Sequence, residues 1–445
     1  MRTTEYFTLA FGTIIGVGWV LVMDDWLGRG GPLGAMLGFL IGGLLLVPIG
    51  YVYSRLVTSL PDAGSEVTYT AQVFPRSVSF TTGWFMTLAY LIVCPWEAVA
   101  IGKIVVYLIP SLDTIELYQI GEKPMYLPRL LLGLGLTGVI VGVNYRGIRL
   151  SAWFQNITTF GLLAIFVVFA GAGLLRGSVQ QVEPLFAQPG ISGALISCLL
   201  VMQIVPYFMT GFESVPKCAE EANANFQTSG FTRAIFLALI GATLFYVIII
   251  GVVAMIADWQ QLLTVKFSTV VAFERAFQSN TLVNLIFLAM LLSLFKVFNG
   301  NFLAGTRLLF ALGRRGLLPA ALGAVHPAYR TPGNAVVFGG LLTVIGTVLG
   351  EAVLIPITEV GSFAAAVGWM ATCVSFLKGA GRRAGETAGS GATLIAGLGA
   401  LVCRGLLLMK LLPFVPGHFQ PFEYVTLGLW LLLGGITFAL TTERL

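Results

Sequence analysis

Two short runs in this sequence have residue types that an unbroken helix would not need. The first is Gly12-Thr13-Ile14-Ile15-Gly16-Val17-Gly18-Trp19. Each of its glycines weakens a helix by about 1 kcal/mol against alanine. Glycine also lets backbone approach a ligand closely. On its own the spacing fits helix packing as well as it fits a break. The second run is Pro206-Tyr207-Phe208-Met209-Thr210-Gly211-Phe212-Glu213. Proline removes a backbone donor, and Gly211 relaxes the turn that follows. Where a helix stops and restarts, free N–H groups at the positive dipole end attract a carboxylate. Free carbonyls at the other end attract an ammonium group. Two such interruptions together suit a small zwitterion. Six ionisable residues also sit inside apolar runs: Glu97, Lys103, Glu213, Lys296, Glu359 and Arg404.

The elements that must carry these groups follow from composition. The 445 residues are 57% apolar and only 10% charged, with mean hydropathy +0.90. An ordinary soluble domain is about 25% charged. Too few charges remain to cover a soluble protein of 47.6 kDa. Composition therefore excludes a cytosolic enzyme, a disordered chain and a nucleic-acid-binding domain. The reading is an all-α polytopic membrane protein. Its apolar runs are continuous, as membrane helices require, and lack the alternation of a barrel. The five cysteines are scattered, and His326 and His418 are the only histidines. No disulfide, metal site or cofactor is expected. The opening MRTTEYF runs straight into a long span, so no cleavable signal peptide is expected.

Twelve candidate spans cover 5–27, 32–57, 78–109, 127–145, 149–175, 191–213, 230–257, 280–312, 333–351, 353–377, 391–412 and 422–440. With the N-terminus inside, 15 of the 25 Lys and Arg fall in inside segments and 7 outside. The positive-inside rule then places both termini in the cytoplasm. Two further segments, 63–75 and 268–278, are too polar to span and too apolar to be plain loops. They occupy matching places if 1–175 and 191–377 are halves related by inversion, with 391–440 added. A shift of 195 residues lays Gly16 on Gly211. Paired interruptions in corresponding spans of inverted halves point to a midplane binding site. Coincidence between two interfacial helices is the plainer alternative.

At this point a resemblance emerges. The first run resembles the first-helix glycine motif of the amino acid–polyamine–organocation (APC) permease superfamily. Tyr51-Val52-Tyr53-Ser54-Arg55-Leu56 with Leu60-Pro61-Asp62-Ala63-Gly64-Ser65 resembles its loop between spans 2 and 3. Thr210-Gly211-Phe212-Glu213 followed by Ala219-Glu220-Glu221 resembles its sixth-helix motif. Thr306-Arg307 with Arg314-Arg315-Gly316-Leu317-Leu318-Pro319 resembles the end of its eighth helix. The resemblance implies a LeuT-like fold of five plus five inverted helices, with helices 1 and 6 discontinuous. It implies secondary transport of amino acids or related amines by alternating access. It places a substrate carboxylate at the N–H groups of Ile15, Gly16, Val17 and Gly18. It places the amine at carbonyls near Ile14 and around Tyr207, Phe208, Met209 and Thr210, beside Gly211. Phe208 becomes an aromatic wall or gate. Trp19 departs from the smaller aliphatic residue common at its place, which bears on the accepted side chain.

The buried charges are read against that frame. Glu213 follows the second break and is a gating or ionic candidate, as is Glu97. Glu97 and Lys103 are six residues apart and do not share a helical face. Lys103, near a span end, can snorkel. Lys296 lies mid-span with Ser293, Asn299 and Gly300 on roughly its face. There it can supply the cation that sodium supplies in sodium-coupled relatives, with Asn299 beside it, or carry a coupling proton. A structural lysine bonded to the first break is the alternative. Asn299 and Asn301 fit either ligand binding or helix locking. Glu359 is read as interfacial, and Arg404 as a lipid-headgroup, packing or dimer contact. The partners expected are a small-molecule amino acid or amine, the bilayer and a proton. A permease for a decarboxylated amine such as ethanolamine or a polyamine is the alternative within carriers. A sensor on a transporter scaffold is the alternative outside them. No enzyme motif, channel filter or P-loop is present.

Overall fold

The computed structural model describes residues 1–120, 123–265, 267–382 and 389–442. Lys266, Arg383 and Arg444, all counted in the charge balance, lie outside the described residues. The chain runs α1 (Thr3–Ile14), α2 (Gly18–Leu21), α3 (Met23–Ser59), α4 (Glu66–Ala71), α5 (Arg76–Leu91) and α6 (Val93–Leu108). A two-stranded antiparallel hairpin follows, β1 (Glu116–Ile120) and β2 (Lys123–Tyr126). Then come α7 (Leu127–Arg146), α8 (Ile148–Arg176), α9 (Gly190–Met202), α10 (Val205–Met209), α11 (Ser214–Lys217) and α12 (Ser229–Ile256). The remainder is α13 (Trp259–Leu262), α14 (Ser268–Phe277), α15 (Asn280–Arg314), α16 (Gly333–Val348), α17 (Leu354–Leu377), α18 (Ser390–Leu411) and α19 (Pro421–Thr442).

Among the described residues, 10 helices are long and apolar enough to cross a membrane. Two of the expected spans, the sixth and the ninth, are represented by the shorter apolar helices α9 and α16. The third is two helices, α5 and α6, joined at Ile92 just before Pro95. The kink at Gly31 (φ 64°) divides α3, so its first turns continue the far end of the first span. The two segments too polar to span contain the short helices α4 and α14. The β-hairpin was not expected. It caps one end of the bundle, where the Tyr118 hydroxyl donates to the Val348 carbonyl.

The core sits around α1 and α15. Every residue of α1 from Thr8 to Ile14 is buried, and so is almost all of α15 from Lys296 to Gly313. A helix apolar all round belongs inside a large bundle. By contrast α18 and α19 turn leucines outward, such as Leu401 (64% exposed) and Leu429 (63%). A bilayer accommodates such a belt, since hydrocarbon solvates leucine and the helix satisfies its own backbone. Two stacked indoles, Trp84 and Trp430 (4.3 Å), hold α19 against α5. Each donates its N–H to the other's carbonyl.

Candidate functional site

Both runs singled out in the sequence are interrupted helices, and they touch. After α1 the backbone of Ile15 is extended (φ −85°, ψ 98°), and helix resumes at Gly18. After α10 Thr210 is extended (ψ 127°), and Gly211 takes φ +144°, a region that L side chains avoid. A Cβ on Gly211 would lie 2.9 Å from the Ile14 nitrogen and 3.0 Å from the Thr13 carbonyl carbon. Neither backbone atom can yield. Gly211→Ala is therefore expected to combine the clash with about 1–3 kcal/mol of backbone strain. The melting temperature in detergent should fall clearly below that of the wild type.

The carbonyls that α1 exposes at its end are taken by other helices. Lys296, fully buried on α15, donates through Nζ to Gly12 O (3.3 Å) and Ile15 O. Asn301 Nδ2 donates to Thr13 O (3.2 Å). The Tyr246 hydroxyl, on α12, lies 3.1 Å from Ile14 O and 3.2 Å from Phe208 O, one carbonyl from each break. Carbonyl oxygens have a second lone pair, so these contacts leave room for a ligand donor. On the donor side, the N–H groups of Val17 and Gly18 make no hydrogen bond among the described residues.

A small cavity lies where the breaks meet α6 and α15. Ile14, Gly16, Gly18, Tyr207, Phe208, Thr210 and Glu97 line it. So do Asn301, read as fitting either ligand binding or helix locking, and four residues the sequence reading passed over as cavity lining: Thr13, Val93, Trp96 and Val297. Its volume is about 20 Å³, room for one water. Phe208 closes it, with its ring 4.9 Å from Trp26 and its edge against Gly18. Four polar atoms of the lining residues are buried without a hydrogen-bond partner among the described residues: Glu97 Oε2, Tyr207 Oη, Trp96 Nε1 and Asn301 Oδ1. Glu97 Oε1 lies against Gly16, 2.9 Å from where a Cβ would stand.

Several expected site residues lie elsewhere. Trp19 does not line the cavity. Its ring packs between Phe169 (6.2 Å) and Phe245 (6.0 Å), because the restarted helix turns it toward α8 and α12. Ile15, Val17 and Met209 are buried in the surrounding core, and Gly211 spends its surface on the first break. Glu213 is off the cavity as well. Its Oε2 accepts from the Gly211 N–H (3.0 Å) and so clamps the second break. Asn299 bonds to Asn144 (2.9 Å) and Gln155 (3.3 Å), tying α15 to α7 and α8.

Ionic groups flank the cavity on both sides. Near the N-terminus, Lys217 and Glu66 form a fully buried pair (2.6 Å). Tyr53 donates to the same Glu66 oxygen (2.7 Å). Around it Arg307 pairs with Glu221 and Arg315 with Asp62 (3.2 Å). At the hairpin end, Arg29 bridges Asp25 (2.8 Å) and Glu359 (3.0 Å). Glu359, read as interfacial, is held there also by Lys410 of α18, which was counted as an outside charge but is 2% exposed. Lys103 reaches Glu351 (3.5 Å). Apart from Asp25 and Arg29, four residues apart on α3, sequence spacing carried no signal for these pairs.

A helical membrane bundle whose interrupted helices meet at a small cavity with buried polar groups in its wall has the make-up of a carrier. The amino acid permease family model matches residues 2–438, and the chain belongs to that family. Family membership groups it with transporters rather than enzymes. Amino-acid permease RocE of Bacillus subtilis is 25% identical, with 84% of this chain and 79% of that protein covered. Branched-chain amino acid permease BcaP of the same organism is 23% identical, with 81% and 77% covered. The Methylthioribose transporter of that organism is 24% identical, with 73% and 69% covered. Similarity at this level runs across proteins whose names carry different substrates.

Proposed function

We propose that this protein carries an amino acid across the cytoplasmic membrane by alternating access, without sodium, in symport with a proton or by exchange. The observation that carries the reading is the set of orphaned polar atoms, Glu97 Oε2, Tyr207 Oη, Trp96 Nε1 and Asn301 Oδ1, around a small cavity where two broken helices meet. Buried polar atoms without partners are costly, and a polar ligand relieves that cost. The Val17 and Gly18 N–H groups suit its carboxylate. Ile14 O, the carbonyls near Phe208, and Glu97 suit its ammonium. Lys296 stands as a fixed cation at the carbonyl end of α1, the role assigned here in place of sodium. In this reading the chain makes twelve crossings with both termini cytoplasmic, and 1–175 and 191–377 are inverted halves. The cavity is then the occluded state, which must open by moving Phe208.

One observation also suits a decarboxylated amine: Glu97 lines the cavity, although Glu213 does not. A carboxylate there rewards any ammonium, with or without a neighbouring carboxyl group. The test is thermal stability of the purified protein against amino acids and their matching amines. A ligand bound only by the folded state raises the melting point with occupancy. Stabilisation by an amino acid and not by its amine, followed by saturable counterflow in proteoliposomes, is the expected result. Stabilisation by amines alone would replace the amino acid with an amine as substrate. A sensor would bind without flux.

A further inference from the structure

Away from the breaks, a cavity of about 290 Å³ lies at the end of the bundle where α4 sits. Its wall is built from Ala71 and Phe74 around the end of α4, Arg76 and Ser79 in the first turns of α5, and Arg315 and Leu317 just after α15. The cations around it stand where membrane-length helices end. Arg76 opens the apolar run that continues to Leu108, and Arg315 follows the one that closes at Arg314. Lys378 comes one residue after the run that closes at Leu377, and its Nζ lies 4.3 Å from the centre of the Phe74 ring. Basic residues at the ends of three spans mark the level of lipid headgroups.

Charge around this cavity is unbalanced. Arg315 pairs with Asp62 (3.2 Å) and donates to Thr68 (2.8 Å). Neighbouring Arg314 and Glu220 offset each other (3.7 Å). Arg76 donates to Gly316 O (2.9 Å), and neither it nor Lys378 has a carboxylate partner among the described residues. Unused donors point the same way. Ser79 is 2% exposed, and its Oγ has no hydrogen-bond partner among the described residues. No side chain caps α5, so the Arg76 and Ser77 N–H groups at its positive end are unclaimed among those residues. Guanidinium groups, a spare hydroxyl and an open helix start together match the several oxygens and negative charge of a phosphate.

We propose that this cavity binds a phosphate group, carried by an anionic phospholipid whose headgroup sits between Arg76 and Arg315. A lipid is favoured over free phosphate because headgroup phosphates already occupy the plane of the span ends, where basic pockets between helices collect them. The site shares no lining residue with the central cavity and stands whatever the protein carries.

The test titrates purified full-length protein in neutral detergent with palmitoyl-oleoyl phosphatidylglycerol and follows adducts by native mass spectrometry. One equivalent should bind, and a diacylglycerol with the same chains should bind at least tenfold more weakly. Arg76→Gln keeps a donor for Gly316 O but removes the charge, and it should weaken the phospholipid about tenfold. Arg146→Gln, at the end of α7 and outside the lining, should leave it unchanged. Equilibrium dialysis against radiolabelled inorganic phosphate separates the two sources. One equivalent of phosphate, lost in Arg76→Gln, without a phospholipid adduct would keep the phosphate site and replace the lipid by the free anion. Diacylglycerol binding as tight as that of the phospholipid would overturn the site, since the tails alone would then account for it. Equal losses in Arg76→Gln and Arg146→Gln, or no binding of either phosphate, would overturn it too. Should Arg76→Gln fail to fold, as judged by its melt, Ser79→Ala decides: unchanged phospholipid affinity refutes the site.

Discussion

Lys296→Met abolishes uptake: initial rates in proteoliposomes should drop at least tenfold, to the level of empty vesicles. The lysine is fully buried, and its ammonium holds the carbonyls of Gly12 and Ile15 at the end of α1. A hydrogen bond to a charged group is worth about 1.5–3 kcal/mol. Methionine keeps the length and apolar stem of the side chain but supplies neither bond. The α1 terminus then has two carbonyls without that donor, a helix dipole without its cation, and Glu97 without its nearest positive charge. The variant should still insert, because losing a mid-span charge makes the span more apolar. Its melting point should fall, and stabilisation by the transported ligand should disappear. Sodium replacement is the sharper control. Wild-type uptake that requires sodium, and continues unchanged in Lys296→Met, would remove the lysine from the mechanism.

Lys217→Met should be the most damaging substitution for stability. It strands Glu66, which is fully buried and whose Oε2 already lacks a partner. Breaking a buried pair by removing one member costs about 3–5 kcal/mol. The ammonium also donates to Glu213 O (3.0 Å) and sits 4.7 Å from the Tyr90 ring centre, so the segment after the second break loses its anchor too. Low yield and a large drop in detergent melting temperature are expected. Removing both charges in Lys217→Met with Glu66→Gln should recover most of the loss, because no bare charge remains. A double variant as unstable as the single one would show that the packing of α4, rather than its charge, is what Lys217 supports.

The breaks were legible in sequence because their causes are local. Gly16, Gly18, Pro206 and Gly211 alter the backbone at their own positions, and the bilayer turns composition into helices. Family resemblance added which carbonyls and N–H groups to watch. What lay beyond reach depends on rotation and distance. The side of α2 that Trp19 faces is set by where helix resumes after Ile15, an angle no periodicity encodes. Lys217 meets Glu66 across 151 residues, and Arg29 meets Glu359 across 330. Lys410 looked like an orientation signal because hydropathy sees its charge and not Glu359 beside it. Glu97 was noticed as a buried charge. Its presence on the cavity wall required the turn at Ile92.

The Tyr246 hydroxyl has one proton and two carbonyl neighbours, Ile14 O and Phe208 O, at nearly equal distances. One O–H can serve both acceptors only by sharing. Sharing is a balance that holds while the two breaks stay equally close. When either recedes, the proton goes wholly to the other, and the retained contact shortens as the lost one lengthens. The phenol therefore works like the beam of a scale set between the two half-helices. In the carrier cycle proposed above, it penalises the symmetric separation of both and rewards the departure of one while the other is gripped, a mechanical bias toward opening on one side at a time.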